Sequence, residues 1–186
     1  MPESEFAEFF HDEHRQMRDA LLGVIGAFHN GDHDEVQDSI DEFGAIAGPH
    51  FQYESEALFP ALVKLFGDEY VDELMAEHNE TLATARELAT LAATEDFSAS
   101  EAERAAEMAR AILPHVGERD GLAVMVEVMA PAEVGRILKA RERARKSKGV
   151  TAKAAKKGLK VKRTAFKRRV AKPERKKVAS HKKRAR

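Results

Sequence analysis

The chain contains no cysteine, which removes thiolate zinc sites, iron–sulfur clusters and disulfide staples together and fits a reducing compartment. It has no tryptophan and only two tyrosines, a poor supply for a sheet-rich core. No apolar run approaches the roughly 18 residues that a membrane-spanning helix needs. The start, Met1-Pro2-Glu3-Ser4-Glu5, is acidic and is not followed by an apolar segment. Neither a membrane span nor a signal peptide is therefore expected, and the expected location is cytoplasmic.

Net charge is also nearly missing, with 31 Lys+Arg against 32 Asp+Glu in 186 residues. That balance conceals two opposite halves. Residues 1–140 hold nine bases against 30 acids, a net of −21. Residues 141–186 hold 22 bases against Glu142 and Glu174 alone, a net of +20. The length suits one well-buried core plus an appendage, and the charge divides them: a body over 1–146 and a Lys/Arg-rich tail over 147–186.

The body reads as helix throughout, with apolar residues at three- and four-residue spacing. Phe6, Phe10, His14, Met17, Leu21, Ile25 and Phe28 form the stripe of a first helix over about 4–29. Asn30-Gly31-Asp32 ends it and supplies a cap for the second. The second stripe runs Val36, Ile40, Phe43, Ala47, His50, Glu54, Leu58, Ala61. Gly48-Pro49 is expected to interrupt that helix and Pro60 to bend or end it. After Gly67-Asp68 a third stripe contains Val71, Leu74, His78, Leu82, Ala85, Leu88 and Ala92. Ser98 and Glu101 form a capping box before a fourth with Ala105, Met108, Ile112 and His115. Gly117 and Gly121 loosen the chain past His115, and a fifth helix follows Pro131, over about 132–146. Short connections between amphipathic helices predict an all-α, antiparallel up-down four-helix bundle with a short fifth helix.

Each of the four long helices carries one histidine on its inward stripe: His14, His50, His78 and His115. A single histidine among core positions is ordinarily a hydrogen-bonded polar group. Four at comparable depth are different, because a bundle interior offers few partners and unpaired imidazoles are costly to bury. One metal cluster satisfies all four. His50 and Glu54, at i and i+4, converge on one point of the bundle axis. Imidazole and carboxylate without sulfur suit iron or manganese better than structural zinc.

The segment from His50 through Glu54, Glu56, Leu58, Phe59 and Pro60 to Leu62 resembles the H-x-x-x-E-x-E-x-L-F-P-x-L signature of the hemerythrin-like (HHE cation-binding) family. Glu13-His14-Arg15-Gln16-Met17 resembles the family's first-helix histidine, Glu77-His78-Asn79-Glu80 its third, and Pro114-His115-Val116-Gly117-Glu118 its second ligand pair. The resemblance covers about residues 6–130. It implies two non-haem irons, joined by an oxo or hydroxo bridge, held by His14, His50, Glu54, His78 and His115. Two departures matter. Oxygen carriers have a histidine four residues before the third-helix one, where this chain has Leu74. That points away from reversible oxygen carriage, toward members that handle oxygen, peroxide or nitric oxide or sense iron. The usual fourth-helix glutamate is replaced by Arg119, leaving Glu118 and Asp120 as alternatives. The oxygen carriers' aspartate at +5 favours Asp120; strict helical geometry favours Glu118. His11 reads as a surface group, Glu56 and Glu77 as surface groups or supports behind a ligand, and Tyr53 as packing or a hydrogen-bond donor near Glu54.

The tail, with Lys167-Arg168-Arg169 and Lys182-Lys183-Arg184 among its basic runs, cannot bury enough apolar surface to fold alone and is expected to be disordered. Its composition resembles histone-like tails. It offers phosphate contacts to nucleic acid without base readout, which would bring the protein to the nucleoid; a competing partner is its own acidic body. The alternative from another class is a nucleoid-associated DNA- or RNA-binding protein whose bundle is structural and metal-free.

Overall fold

The computed structural model describes residues 2–94 and 96–147. The expected disordered tail from residue 148 onward lies outside the described residues.

Among the described residues every regular element is helical and there is no strand. Helix α1 spans Pro2–Asn30. The chain then turns at Gly31, whose φ of +69° suits a residue without Cβ. Asp32 caps α2, His33–Tyr53, by accepting the Glu35 N–H. A π-helical segment, Glu54–Leu58, continues directly into α3, Phe59–Phe66. Gly67, at φ +82°, makes the turn into α4, Asp68–Ala92. Ser98 and Glu101 form the expected capping box of α5, Ala99–Glu118. A 3-10 turn, Arg119–Gly121, follows, then α6, Leu122–Val126. Helix α7 occupies residues 131–147, with Pro131 at its first position, where the missing N–H is harmless.

One sequence expectation is corrected. Gly48-Pro49 does not interrupt the second helix; α2 runs through it to Tyr53 with Pro49 buried inside. The backbone disturbance falls later. Pro60 has no N–H for the carbonyl four residues back and its ring would crowd that carbonyl. The chain answers one turn upstream by widening into the π-helical segment, where the Phe59 N–H reaches back five residues to the Glu54 carbonyl. The distortion expected at Pro60 therefore begins at Glu54 itself.

Helix α1 packs on α2 and α5, and α4 on α5 and α2, so four long helices surround one interior. Its apolar side chains form two clusters. One includes Met17, Leu21, Val24, Phe28, Leu88 and Ile112, with Ala105 and Ala109 giving α5 a close approach to α1. The other includes Phe6, Phe10, Tyr53, Phe59, Leu62 and Leu74, closed off by Val134, Ile137 and Ala140 of α7. Each fully buried large side chain contributes about 1.5–3 kcal/mol. On α1, α2 and α4 the inward histidine sits in sequence between residues of the two clusters: Phe10, His14, Met17 on α1, Ala47, His50, Tyr53 on α2, and Leu74, His78, Leu88 on α4. A single polar layer therefore divides an otherwise apolar interior. No described helix is long and apolar enough to cross a membrane.

Candidate metal centre

The polar layer consists of His14, His50, Glu54, His78 and His115, all buried, with His50, Glu54 and His78 at 0% exposure. Helical phase puts each there, and in two cases a proline, Pro49 or Pro114, immediately precedes the histidine inside its helix.

Glu54 stands at the centre. Its Oε1 lies 3.3 Å from His50 Nε2. Its Oε2 lies 3.5 Å from His78 Nδ1 and 3.4 Å from His115 Nε2. His14 completes the first side, with its Nε2 3.0 Å from His50 Nε2. Two groups with metal-ligand spacing result, His14–His50–Glu54 and Glu54–His78–His115, and Glu54 belongs to both.

Hydrogen bonding leaves these inward atoms unsatisfied. Both Glu54 oxygens, His78 Nδ1 and both His115 nitrogens are buried without a hydrogen-bond partner. Ser55 donates to the Phe51 carbonyl at 2.9 Å, so its oxygen is left to accept from His78 Nε2, 2.9 Å away. That arrangement fixes the hydrogen of a neutral His78 on Nε2 and turns the Nδ1 lone pair toward Glu54. Orphaned buried polar atoms around one carboxylate are expensive in an apolar interior. A divalent or trivalent cation satisfies them, and the donor set of nitrogens and one shared carboxylate fits iron.

The outer nitrogens tell the same story. His50 Nδ1 lies 3.0 Å from Glu13 Oε2, which also accepts from the Tyr53 hydroxyl at 3.0 Å. His14 Nδ1 lies 2.6 Å from Asp120 Oδ1. Burial, reinforced by the His50 charge, pushes His14 down to about 4. Burial likewise pushes His78 down to about 4, against the pull of Glu54. Burial also opposes charge on His50, but Glu54 and Glu13 outweigh it and raise His50 to about 9. Burial would raise Glu54, yet the His50 charge and the close approach of the His115 and His50 imidazoles hold it well below the usual carboxylate range.

Of the two fourth-helix carboxylates left open by the sequence, Asp120 is the one placed beside the cluster. The 3-10 turn carries it toward α1, at the outer nitrogen of His14 and 3.1 Å from the half-exposed His11. Glu118 is exposed and lines a cleft of about 230 Å³ with Tyr70, Glu73 and Arg119. Arg119 is itself buried and donates to Glu77 at 2.6 Å. Glu56 is exposed and accepts from Gln52.

Sequence reasoning passed over two residues. Glu13 adjoins His14 and is buried; Arg141 of α7 donates to it through Nε at 2.8 Å. The adjacent motif histidine was the only signal for Glu13, and nothing in the sequence marked Arg141 among 31 bases.

The family model of the hemerythrin HHE cation binding domain matches residues 5–125. No curated protein and no solved structure matches the chain.

Proposed function

The chain belongs to the hemerythrin HHE cation-binding domain family, and from that membership we propose that it is a non-haem di-iron protein that reacts with oxygen, peroxide or nitric oxide, or senses iron; from its charge we propose that the basic tail tethers it to nucleic acid. One observation carries the metal reading: Glu54, fully buried, turns one unpartnered oxygen to each of two histidine groups. His14 and His50 would hold one iron, His78 and His115 the other, and Glu54 both. Asp120 stands close enough to His14 to orient it or to join the ligands.

Iron bound in such a site supplies a redox-active Lewis acid with a position open to a small ligand. The protein's own contribution is to hold the imidazoles in the right tautomer and to wall off water. Phe10, Phe51 and Phe59 do the latter, with ring centroids 4.3 Å from His14, 4.9 Å from His115 and 5.0 Å from His78. Leu74, one turn before His78 and buried, offers no nitrogen where oxygen carriers have one. This supports one-way oxidation over reversible carriage. Reduced protein mixed with oxygen and then held under vacuum should not regain its reduced spectrum; regaining it would restore the carrier reading.

The scaffold is read as an antiparallel up-down bundle. Successive contacts support it: Gly23 of α1 faces Ser39 of α2 while His14 meets His50. Arg104 of α5 pairs with Glu87 of α4 while Arg119 pairs with Glu77. The tail function rests on the +20 charge of residues 141–186 against the −21 body.

The deciding experiment is the metal content of untagged protein purified after iron-replete expression. About two irons per chain are expected, and His50→Ala, which touches one of the two groups, should leave about one. Folded wild-type protein free of metal would favour the nucleoid-associated reading, in which the bundle is structural only.

A further inference from the structure

Helix α7 lies beyond the residues that match the family model, yet one of its side chains reaches the metal layer. Arg141 Nε donates to Glu13 Oε1 at 2.8 Å, and a terminal nitrogen lies 2.7 Å from the same oxygen. Its guanidinium stands over the Phe9 ring, 3.8 Å from the centroid. Glu13 Oε2 is thereby left for His50 Nδ1 and the Tyr53 hydroxyl, both at 3.0 Å.

We propose that Arg141 is a positioning residue of the metal centre: it locks the Glu13 carboxylate so that Glu13 holds His50 with its Nδ1 protonated and its Nε2 aimed at the metal. The inference rests on the di-iron reading above and extends the centre to a fifth helix.

The chemistry follows from each partner's capacity. A carboxylate accepts only, so a hydrogen bond from His50 must come from Nδ1–H, and the ring's lone pair is then on Nε2. A carboxylate behind a ligating imidazole also makes the ligand nitrogen more basic. Left alone, the Glu13 side chain could rotate and present either oxygen, or neither. The planar guanidinium prevents this, because two of its N–H groups engage one oxygen while its face is held on Phe9. Val134, Ile137 and Ala140 anchor α7 in the apolar cluster around Phe6 and Phe10, so Arg141 projects from a packed helix and its placement is not left to a loop. Arg145, one turn further along the same helix, is exposed; it shares the charge without the contact and serves as the control.

The test uses the full chain. Iron-loaded wild type, Glu13→Gln, Arg141→Met, Arg141→Lys and Arg145→Met are titrated with a chelator, and the concentration that removes half the iron is compared. Glu13→Gln should lower it by about 10–100-fold and Arg141→Met by about 10-fold. Arg141→Lys, able to donate but not to fork, should fall between Arg141→Met and wild type, and Arg145→Met should match wild type. Should Arg141→Met not fold, the gap between Arg141→Lys and Arg145→Met decides. Proton spectra of the metal-free chains give a second readout. The hydrogen-bonded His50 Nδ1–H should resonate well downfield in wild type and Arg145→Met, and move upfield or vanish in Arg141→Met and Glu13→Gln. Arg141 variants that hold iron like wild type, or an Arg145→Met loss equal to theirs, would overturn the proposal. A wild-type chain without iron would instead refute the di-iron reading, and the downfield proton would still judge the Arg141–Glu13–His50 linkage.

Discussion

His14 and His50 face each other Nε2 to Nε2 at 3.0 Å in the buried interior. Both outer nitrogens are already committed to carboxylates, His14 Nδ1 to Asp120 and His50 Nδ1 to Glu13. Carboxylates only accept, so both Nδ1 atoms carry hydrogen. Two neutral rings would then oppose lone pair to lone pair. A cation must lie between them, either a metal or a proton. In the metal-free chain it is a proton, and the opposite shifts, His50 up to about 9 and His14 down to about 4, place it on His50.

Metal loading should expel that proton. Anaerobic iron(II) titration near neutral pH, followed by calorimetry in buffers of different ionisation enthalpy, should report about one proton released from this pair. The release should fade as the pH rises past the His50 value of about 9. Release that stays constant from neutral pH to well above that value would contradict the shared-proton arrangement.

The metal-free chain should have a stability maximum near pH 6.5. Below it, His14 and His78 titrate at about 4 when folded and near 6.5 when unfolded. The unfolded chain then binds more protons, so stability falls as the pH drops through that interval. Above it, His50 keeps a proton up to about 9 that the unfolded chain loses near 6.5. Its contribution is complete below 6.5 and is lost as the pH rises through 9. Melting temperatures of chelator-treated protein should be lower at both ends of this range, and a steady rise across it would exclude the arrangement.

Ligand substitutions should not be equivalent. Glu54 belongs to both groups of ligands, whereas His78 belongs to one. Glu54→Ala should empty both positions, and His78→Ala should leave about one iron per chain. Metal analysis of the two variants decides; equal losses would mean that the two groups do not fill independently.

Nucleic-acid binding should depend on the tail and on salt. If the tail engages roughly 6–10 phosphates, affinity should fall by about 10³–10⁵ between 50 and 200 mM salt, with little sequence preference. Deleting residues 147–186 should abolish binding and leave the iron content unchanged, because no candidate ligand lies there. Binding that survives the deletion would show that another surface carries it.

Much of this protein was legible without coordinates. Helix positions, the Gly31-Asp32 turn, the Ser98–Glu101 capping box and the four inward histidines are local properties. A 3.6-residue period and a cap residue act within one or two turns. Glu54 could be picked out because it shares a face with His50. Where the reading went astray, at Gly48-Pro49, a long-range effect won: packing holds α2 through a residue that weakens a helix on its own. Tertiary structure alone decided which other carboxylates meet which histidines. Asp120, and not Glu118, adjoins His14 because the helix tightens into a 3-10 turn after Glu118 and rotates the next side chains. Glu13 is buried and not solvated because Arg141, 128 positions away, comes back to neutralise it. Periodicity assigns a residue to a face, but the partner across that face depends on the phase between helices, which no single segment encodes.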